Sequence, residues 1–123
     1  MEKLVMRVQK QDNLNEVYFE DVEGPGGGRH YYQVVRTVDE EEKQLLCEVQ
    51  FQNGPRGEES SIPGVLEGDL LEIVRHRLQC FQKGPFATRD NACALTHIEE
   101  ALMWLNKRQA DRKERGVLGT NNK

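Results

Sequence analysis

The sequence predicts an α+β protein: a small N-terminal antiparallel β-sheet of about four strands, then a C-terminal antiparallel two-helix hairpin whose second helix is long. Three observations predict it. Apolar residues recur at every second position through roughly the first fifty residues, and from Pro63 onward they recur at three and four. Between these regimes lies QNGPRGEESSIPG, which has turn chemistry throughout. A chain of 123 residues suits a single domain over 1–123, divided into a sheet part at 1–53, a linker loop at 54–62, and a helical hairpin with a C-terminal tail at 63–123.

The sheet part reads as a meander. Leu4, Met6 and Val8 alternate with Val5 and Arg7; Val17 and Phe19 with Tyr18 and Glu20; Tyr32 and Val34 with Tyr31 and Val35; and Leu45, Cys47, Val49 and Phe51 with Leu46, Glu48 and Gln50. That period suits half-buried antiparallel strands. The connections are DNLNE at 12–16, GPGGG at 24–28 and the acidic run DEEEK at 39–43. GPGGG is rich in glycine like a phosphate-cradling loop, but no Lys-Ser or Lys-Thr pair follows it and its downstream pattern is that of a strand. It is expected to be a hairpin turn.

The hairpin follows from a change of period. Leu66, Leu70, Ile73, Val74, Leu78 and Phe81 mark a first helix of about five turns, with Pro63 near its start. Leu95, Ile98, Leu102 and Leu105 mark a second, with Thr88 as N-cap, Asp90 in the first turn, and Gly116 as C-cap after Arg112, Lys113 and Arg115. At 1.5 Å per residue it extends about 40 Å. A helix of that length overhangs a small core, so association with further copies is expected.

Composition excludes several classes. No apolar stretch approaches the length of a membrane span, and three cysteines do not form a disulfide framework, which points to a soluble protein of a reducing, cytosol-like compartment. The net charge of −4 divides into about −6 over 1–60, −2 over 61–100 and +4 over 101–123. With a pI near 5.4, that distribution argues against binding duplex DNA or RNA but leaves room for a small anionic ligand.

The polar residues that stand out cluster on the hairpin. Asn91 falls near the centre of the second helix's apolar stripe and Arg77 has a similar place on the first; each asks for a partner, either structural or a ligand's polar or anionic edge. His97, Trp104, Arg108, Arg112 and Arg115 run along one flank, a ridge suited either to gripping phosphate or to complementing the helix dipole through local pairs such as Asp111 with Arg115. Arg56 is the only cation of the linker, a solvated loop residue or an arm over a ligand. Phe81 and Phe86 bracket the turn, where they either plug the hairpin's end or stack on a base. The His76/Cys80 and Cys93/His97 pairs have zinc's ligand types, but His76 and Cys93 project away from the apolar faces; no metal, cofactor or catalytic set is expected, and the protein is not expected to be an enzyme.

From VQFQNGP onward, and most clearly in FQKGPFATRDNACALTHIEEALMWLNKRQADRKERGVLGT, the chain resembles the phage Thoeris anti-defence sponge family, which shares a helical hairpin module with phage anti-CBASS cyclic-nucleotide sponges. The resemblance covers residues 49–120. Two positions depart from it: Asp90 stands where Glu is expected and Leu118 where Glu is usual. The resemblance implies a non-catalytic protein acting in the host cytoplasm. It would bind glycocyclic ADP-ribose signals made by TIR-domain immune enzymes without cleaving them. Carried over by motif, Phe81 would stack on the adenine, Asn91 would read a polar edge, and Arg56 and Arg108 would meet phosphate or ribose. A second site for cyclic di- or trinucleotides, with Arg108, Arg112 and Arg115 as its clamp, and assembly as a hexamer are also implied. The alternatives that the residues leave open are an oligomeric, partner-binding helical hairpin and a nucleotide-cleaving enzyme.

Overall fold

The computed structural model of the protein describes residues 1–9 and 14–120. Its elements run β1 (Glu2–Lys3), β2 (Asn15–Phe19), β3 (Tyr31–Thr37), β4 (Lys43–Gln50), α1 (Glu67–Gln82) and α2 (Arg89–Glu114). They form an antiparallel four-stranded sheet followed by two helices, the α+β arrangement that the change of period predicts. The chain separates into two compact units, Met1–Val65 and Leu66–Lys123.

In the first unit the strands lie in the order β1-β2-β3-β4, every neighbour antiparallel. The β2–β3 connection contains GPGGG, as expected: it winds a short 3-10 turn over Pro25–Gly27, with Gly26 and Gly27 at φ of 71° and 82°, values that favour glycine. The acidic β3–β4 connection is closed by Asp39, whose Oδ1 accepts the backbone N–H groups of Glu41 and Glu42 at 2.9 and 2.8 Å. Of the DNLNE connection, Asp12 and Asn13 lie outside the described residues.

The first strand differs from the expectation. Strand β1 covers only Glu2 and Lys3, whereas Met6 and Val8, predicted to be half-buried, are 90% and 102% exposed. The ladder ends for a visible reason. After the Leu4 N–H bonds Val17 O at 2.8 Å, the Arg7 guanidinium takes the Asn15 carbonyl at 3.0 Å, an acceptor that a continued strand would have used.

Strand β4 is an edge, and its pairing with β3 shifts between Val34 and Val35, leaving Leu46 without an opposite residue. A bulge on an edge strand bends it and discourages further pairing. One sheet face holds a charged network around Glu16. Its carboxylate accepts from the Tyr18 hydroxyl at 2.6 Å, from Lys43 at 3.2 Å and from Thr37 Oγ1 at 3.2 Å, with Lys3 Nζ at 3.7 Å. Lys43 also donates to the Tyr18 hydroxyl. The Tyr18 hydrogen bond, and after it that of Lys43, hold Glu16 down to about 2. Val35 is the one buried hydrophobic residue among the described residues.

After β4, Phe51 bridges Val65 in parallel and Asn53 bridges Ile62 antiparallel, so the predicted linker doubles back along the end of the sheet. At the crossing sits Gly64, where an added Cβ would lie 2.4 Å from both Gln50 O and the carbonyl carbon of Phe51.

In the second unit α1 begins at an N-cap, Leu66, whose backbone N–H is held by the Asp69 carboxylate at 2.9 Å. Helix α2 begins as predicted at Thr88, whose Oγ1 accepts the Asn91 N–H at 3.0 Å; Gly116, at φ 74°, follows its C-cap Arg115. Its 26 residues extend about 39 Å. Arg75 of α1 ties the two helices by an ion pair to Glu99 at 3.0 Å. No residue of either helix is fully buried within the chain.

Candidate functional site

The turn of the hairpin is built by two residues that exchange hydrogen bonds. Gln82 Nε2 donates to the Thr88 carbonyl at 3.1 Å, and the Thr88 N–H donates to Gln82 Oε1 at 3.0 Å. The clamp holds Lys83–Ala87 as a closed loop, further tied by the Ala87 N–H to Gly84 O bond at 3.3 Å. Sequence reasoning missed Gln82. A readable signal was its place six residues before a Thr N-cap, across a Gly-Pro turn.

Beside the clamp, Phe81 and Phe86 meet edge to face, with ring centroids 6.3 Å apart and planes at 78°. Phe81 is half-buried while Phe86 is 70% exposed, so the pair closes the tip and still presents aromatic surface to solvent. The Arg77 guanidinium lies over the Phe81 ring, 5.1 Å from its centroid. Arg77 was expected at the centre of the apolar face with an anionic partner. The structure instead exposes it, and among the described residues no carboxylate pairs with it. The i, i+4 spacing of Arg77 and Phe81 was the signal for their contact.

Asn91 is half-buried in the first turn of α2, three residues past the clamp. The tip therefore gathers Phe81, Phe86 and Arg77 on one helix end and loop, with Asn91 at the start of the next helix. An aromatic plane, a carboxamide and a guanidinium can together hold a heterocyclic base by stacking, read a polar edge and pair with an anion.

Arg108 is elsewhere. It stands on α2 seventeen residues beyond Asn91, about 26 Å along the axis. There it lines a groove of about 640 Å3 at the end of the hairpin away from the tip, together with Leu66, Glu72, Arg75, Leu102 and Met103. A single chain does not bring Arg108 to Phe81 and Asn91. Arg56 belongs to the other compact unit, where its guanidinium donates to Gln52 Oε1 at 3.4 Å and to the Gly64 carbonyl at 3.3 Å.

The rest of the arginine ridge is occupied locally. Arg112 donates to the carbonyls of Val117 and Thr120, each at 3.0 Å, folding the residues after α2 back onto its last turn. Arg115 pairs with Asp111 at 3.0 Å, the i, i+4 bond that the spacing allowed. Trp104 is 68% exposed with the Lys107 ammonium 5.0 Å from its ring centroid, and His97 Nδ1 lies 3.7 Å from Glu100. His76 Nε2 and Cys80 Sγ are 3.8 Å apart; among the described residues no three His, Cys, Asp or Glu side chains gather at one point.

Residues 43–110 match the family described as Acb2/Tad1, hairpin domain. A curated relative, Thoeris anti-defense 1 of Bacillus phage SBSphiJ7, is 53% identical over 78 residues, which is 63% of this chain and 54% of the relative. The chain thus spans about half the length of the curated relative it matches. Arg56, Phe81, Asn91 and Arg108 all fall inside the family match, whereas Arg112 and Arg115 lie beyond its end.

Proposed function

The chain belongs to the Acb2/Tad1 hairpin-domain family, and from that premise we propose that it is a phage anti-defence protein that counters Thoeris immunity by sequestration. The molecule held is a glycocyclic ADP-ribose made by a TIR-domain enzyme, bound in the host cytoplasm and released chemically unchanged. Phe81 stacks on the adenine and Asn91 reads a polar edge. Arg108, and Arg56 from the sheet unit, meet phosphate or ribose.

The observation that supports this best is the tip itself: an aromatic pair under a guanidinium that no carboxylate among the described residues neutralises, with a half-buried carboxamide at the start of the next helix, inside the segment that matches the family. The separation of Arg108 from that tip bears on how the site is completed. Because about 26 Å of helix lies between Asn91 and Arg108, the two join one ligand only if different copies supply them. The exposed Ile73, Met103 and Trp104, at 64%, 70% and 68%, give the hairpin apolar surface for such contacts. The assembly we propose is the family's hexamer. A stoichiometric trap must hold its signal at about nanomolar strength, roughly −12 kcal/mol, which a pocket between copies can supply and a solvent-facing tip cannot.

Titration calorimetry with glycocyclic ADP-ribose, followed by heat release and mass measurement of the nucleotide, tests the proposal. Uptake with unaltered mass is the expected result; no uptake, or a changed mass, rejects sequestration. A second site for cyclic di- or trinucleotides on Arg108, Arg112 and Arg115 is a weaker extension. Arg112 and Arg115 already hold partners within the chain, so only Arg108 is at hand without rearrangement.

A further inference from the structure

We infer that Arg77 is a ligand-contacting residue of the tip site, one that meets a phosphate of the nucleotide stacked on Phe81. The inference deepens the sequestration reading and rests on it.

Three observations combine. Arg77 is exposed, and no carboxylate among the described residues neutralises it, in contrast to Arg75, two residues earlier, which pairs with both Glu72 and Glu99. Its guanidinium is nonetheless localised, because it lies over the Phe81 ring 5.1 Å from the centroid. The ring also meets Phe86 edge to face and lies beside the Gln82–Thr88 clamp, so the charge has a defined position relative to a defined aromatic plane.

A base that stacks on Phe81 either takes the ring's other face, with the guanidinium one ring's thickness away, or displaces the guanidinium to the edge of the stack; in both arrangements the charge flanks the nucleotide. In a glycocyclic ADP-ribose the pyrophosphate is attached to the ribose that carries the base, so it lies within one sugar's length of the stacked base. Its anionic oxygens therefore fall within reach of a long side chain that flanks the stack. A planar fork of N–H donors suits two phosphate oxygens at once. Arg77 thereby adds to the tip the anion contact that Arg108 cannot provide from the same chain.

The test compares the intact protein with Arg77→Gln and Arg77→Lys, using glycocyclic ADP-ribose as the probe at two ionic strengths. Arg77→Gln is expected to weaken binding roughly 10- to 100-fold, the worth of one charge-assisted contact. Arg77→Lys should retain part of that loss, because it keeps the charge without the fork. The gap between wild type and Arg77→Gln should narrow as salt rises, since a contact between charges is screened. Equal affinity of wild type and Arg77→Gln overturns the inference while leaving sequestration intact. A gap that does not change with salt also overturns it, by assigning Arg77 to holding the ring alone. Absence of uptake by the wild type overturns sequestration and this inference together. Because Arg77 is exposed, both variants should melt within a few degrees of the wild type.

Discussion

Gln82 and Thr88 hold the hairpin tip by two reciprocal hydrogen bonds, at 3.1 and 3.0 Å, so one side-chain amide fixes the backbone of the helix start opposite it. Thr88 also caps α2 through the Asn91 N–H. Thr88→Ala should cost about 1 kcal/mol through loss of the cap. Gln82→Ala should cost a similar amount through the two lost bonds. Denaturant unfolding measures both; Gln82→Ala is also expected to raise hydrogen exchange in Lys83–Ala87, and equal exchange in the variant would deny the clamp its role.

Loss of the stacking ring should be felt strongly in binding and weakly in folding. Phe81→Ala is expected to lower nucleotide affinity by roughly 10- to 100-fold, in line with about 1–3 kcal/mol per stacked base. Asn91→Ala should weaken binding while leaving the Thr88 cap intact, because the cap uses Asn91's backbone N–H. Unchanged affinity in both variants would reject the tip as the site.

A site assembled from two copies predicts complementation. Phe81→Ala and Arg108→Ala proteins, each deficient alone, should regain about a quarter of the binding sites when unfolded and refolded together in equal amounts, because each of the two copies that share a site has an even chance of supplying the native residue. Calorimetric stoichiometry reads the recovery. No recovery would show that one chain supplies both groups or that Arg108 serves elsewhere.

The Glu16 network makes the sheet unit sensitive to acid in a defined window. Its carboxyl titrates near 2 when folded, below its ordinary value of 4.5, so the folded state favours the ionised form. The stability this contributes is fully present above about 4.5 and is lost as pH falls toward 2. Glu16→Gln should therefore lower the melting temperature by roughly 2–5 °C at neutral pH, a modest figure because the pair partners are exposed, and by nothing once Glu16 is protonated in the folded as well as the unfolded chain. A difference that persists unchanged at pH 2 would exclude Glu16 ionisation as the cause.

Apolar residues that the single chain leaves in water should find cover in solution. Trp104→Glu places a charge at a residue that is 68% exposed in the chain. It is expected to lower the mass seen by light scattering while leaving helix content unchanged. A wild type that already runs as a monomer would contradict assembly through this face.

The fold was largely legible because each regime of the chain repeats its own period. Thr88 and Gly116 punctuated α2 within two residues of where it begins and ends, and GPGGG and the acidic run gave two turns. What failed was Leu4–Val8: alternation states which faces a strand would present, but not whether a partner strand continues, and here Arg7 takes the carbonyl that would have extended the pairing. The helix faces were less legible for a related reason. Ile73 and Val74 carry the apolar period yet remain 64% and 42% exposed, since periodicity marks a face that wants cover without saying which chain provides it. Of the candidate site, the positions of Phe81 and Asn91 on either side of the hairpin turn were readable. The distance to Arg108 and the local bonds of Arg112 and Arg115 required coordinates.

Gly64 leaves its own mark on how this sequence can change over time. With neighbouring main chain only 2.4 Å from where a first side-chain carbon would stand, even alanine would have to pry the Phe51–Val65 bridge apart. In a saturation library selected for folded protein, that column should stay almost monochrome, while the glycines at 26 and 116, which face open space, tolerate asparagine.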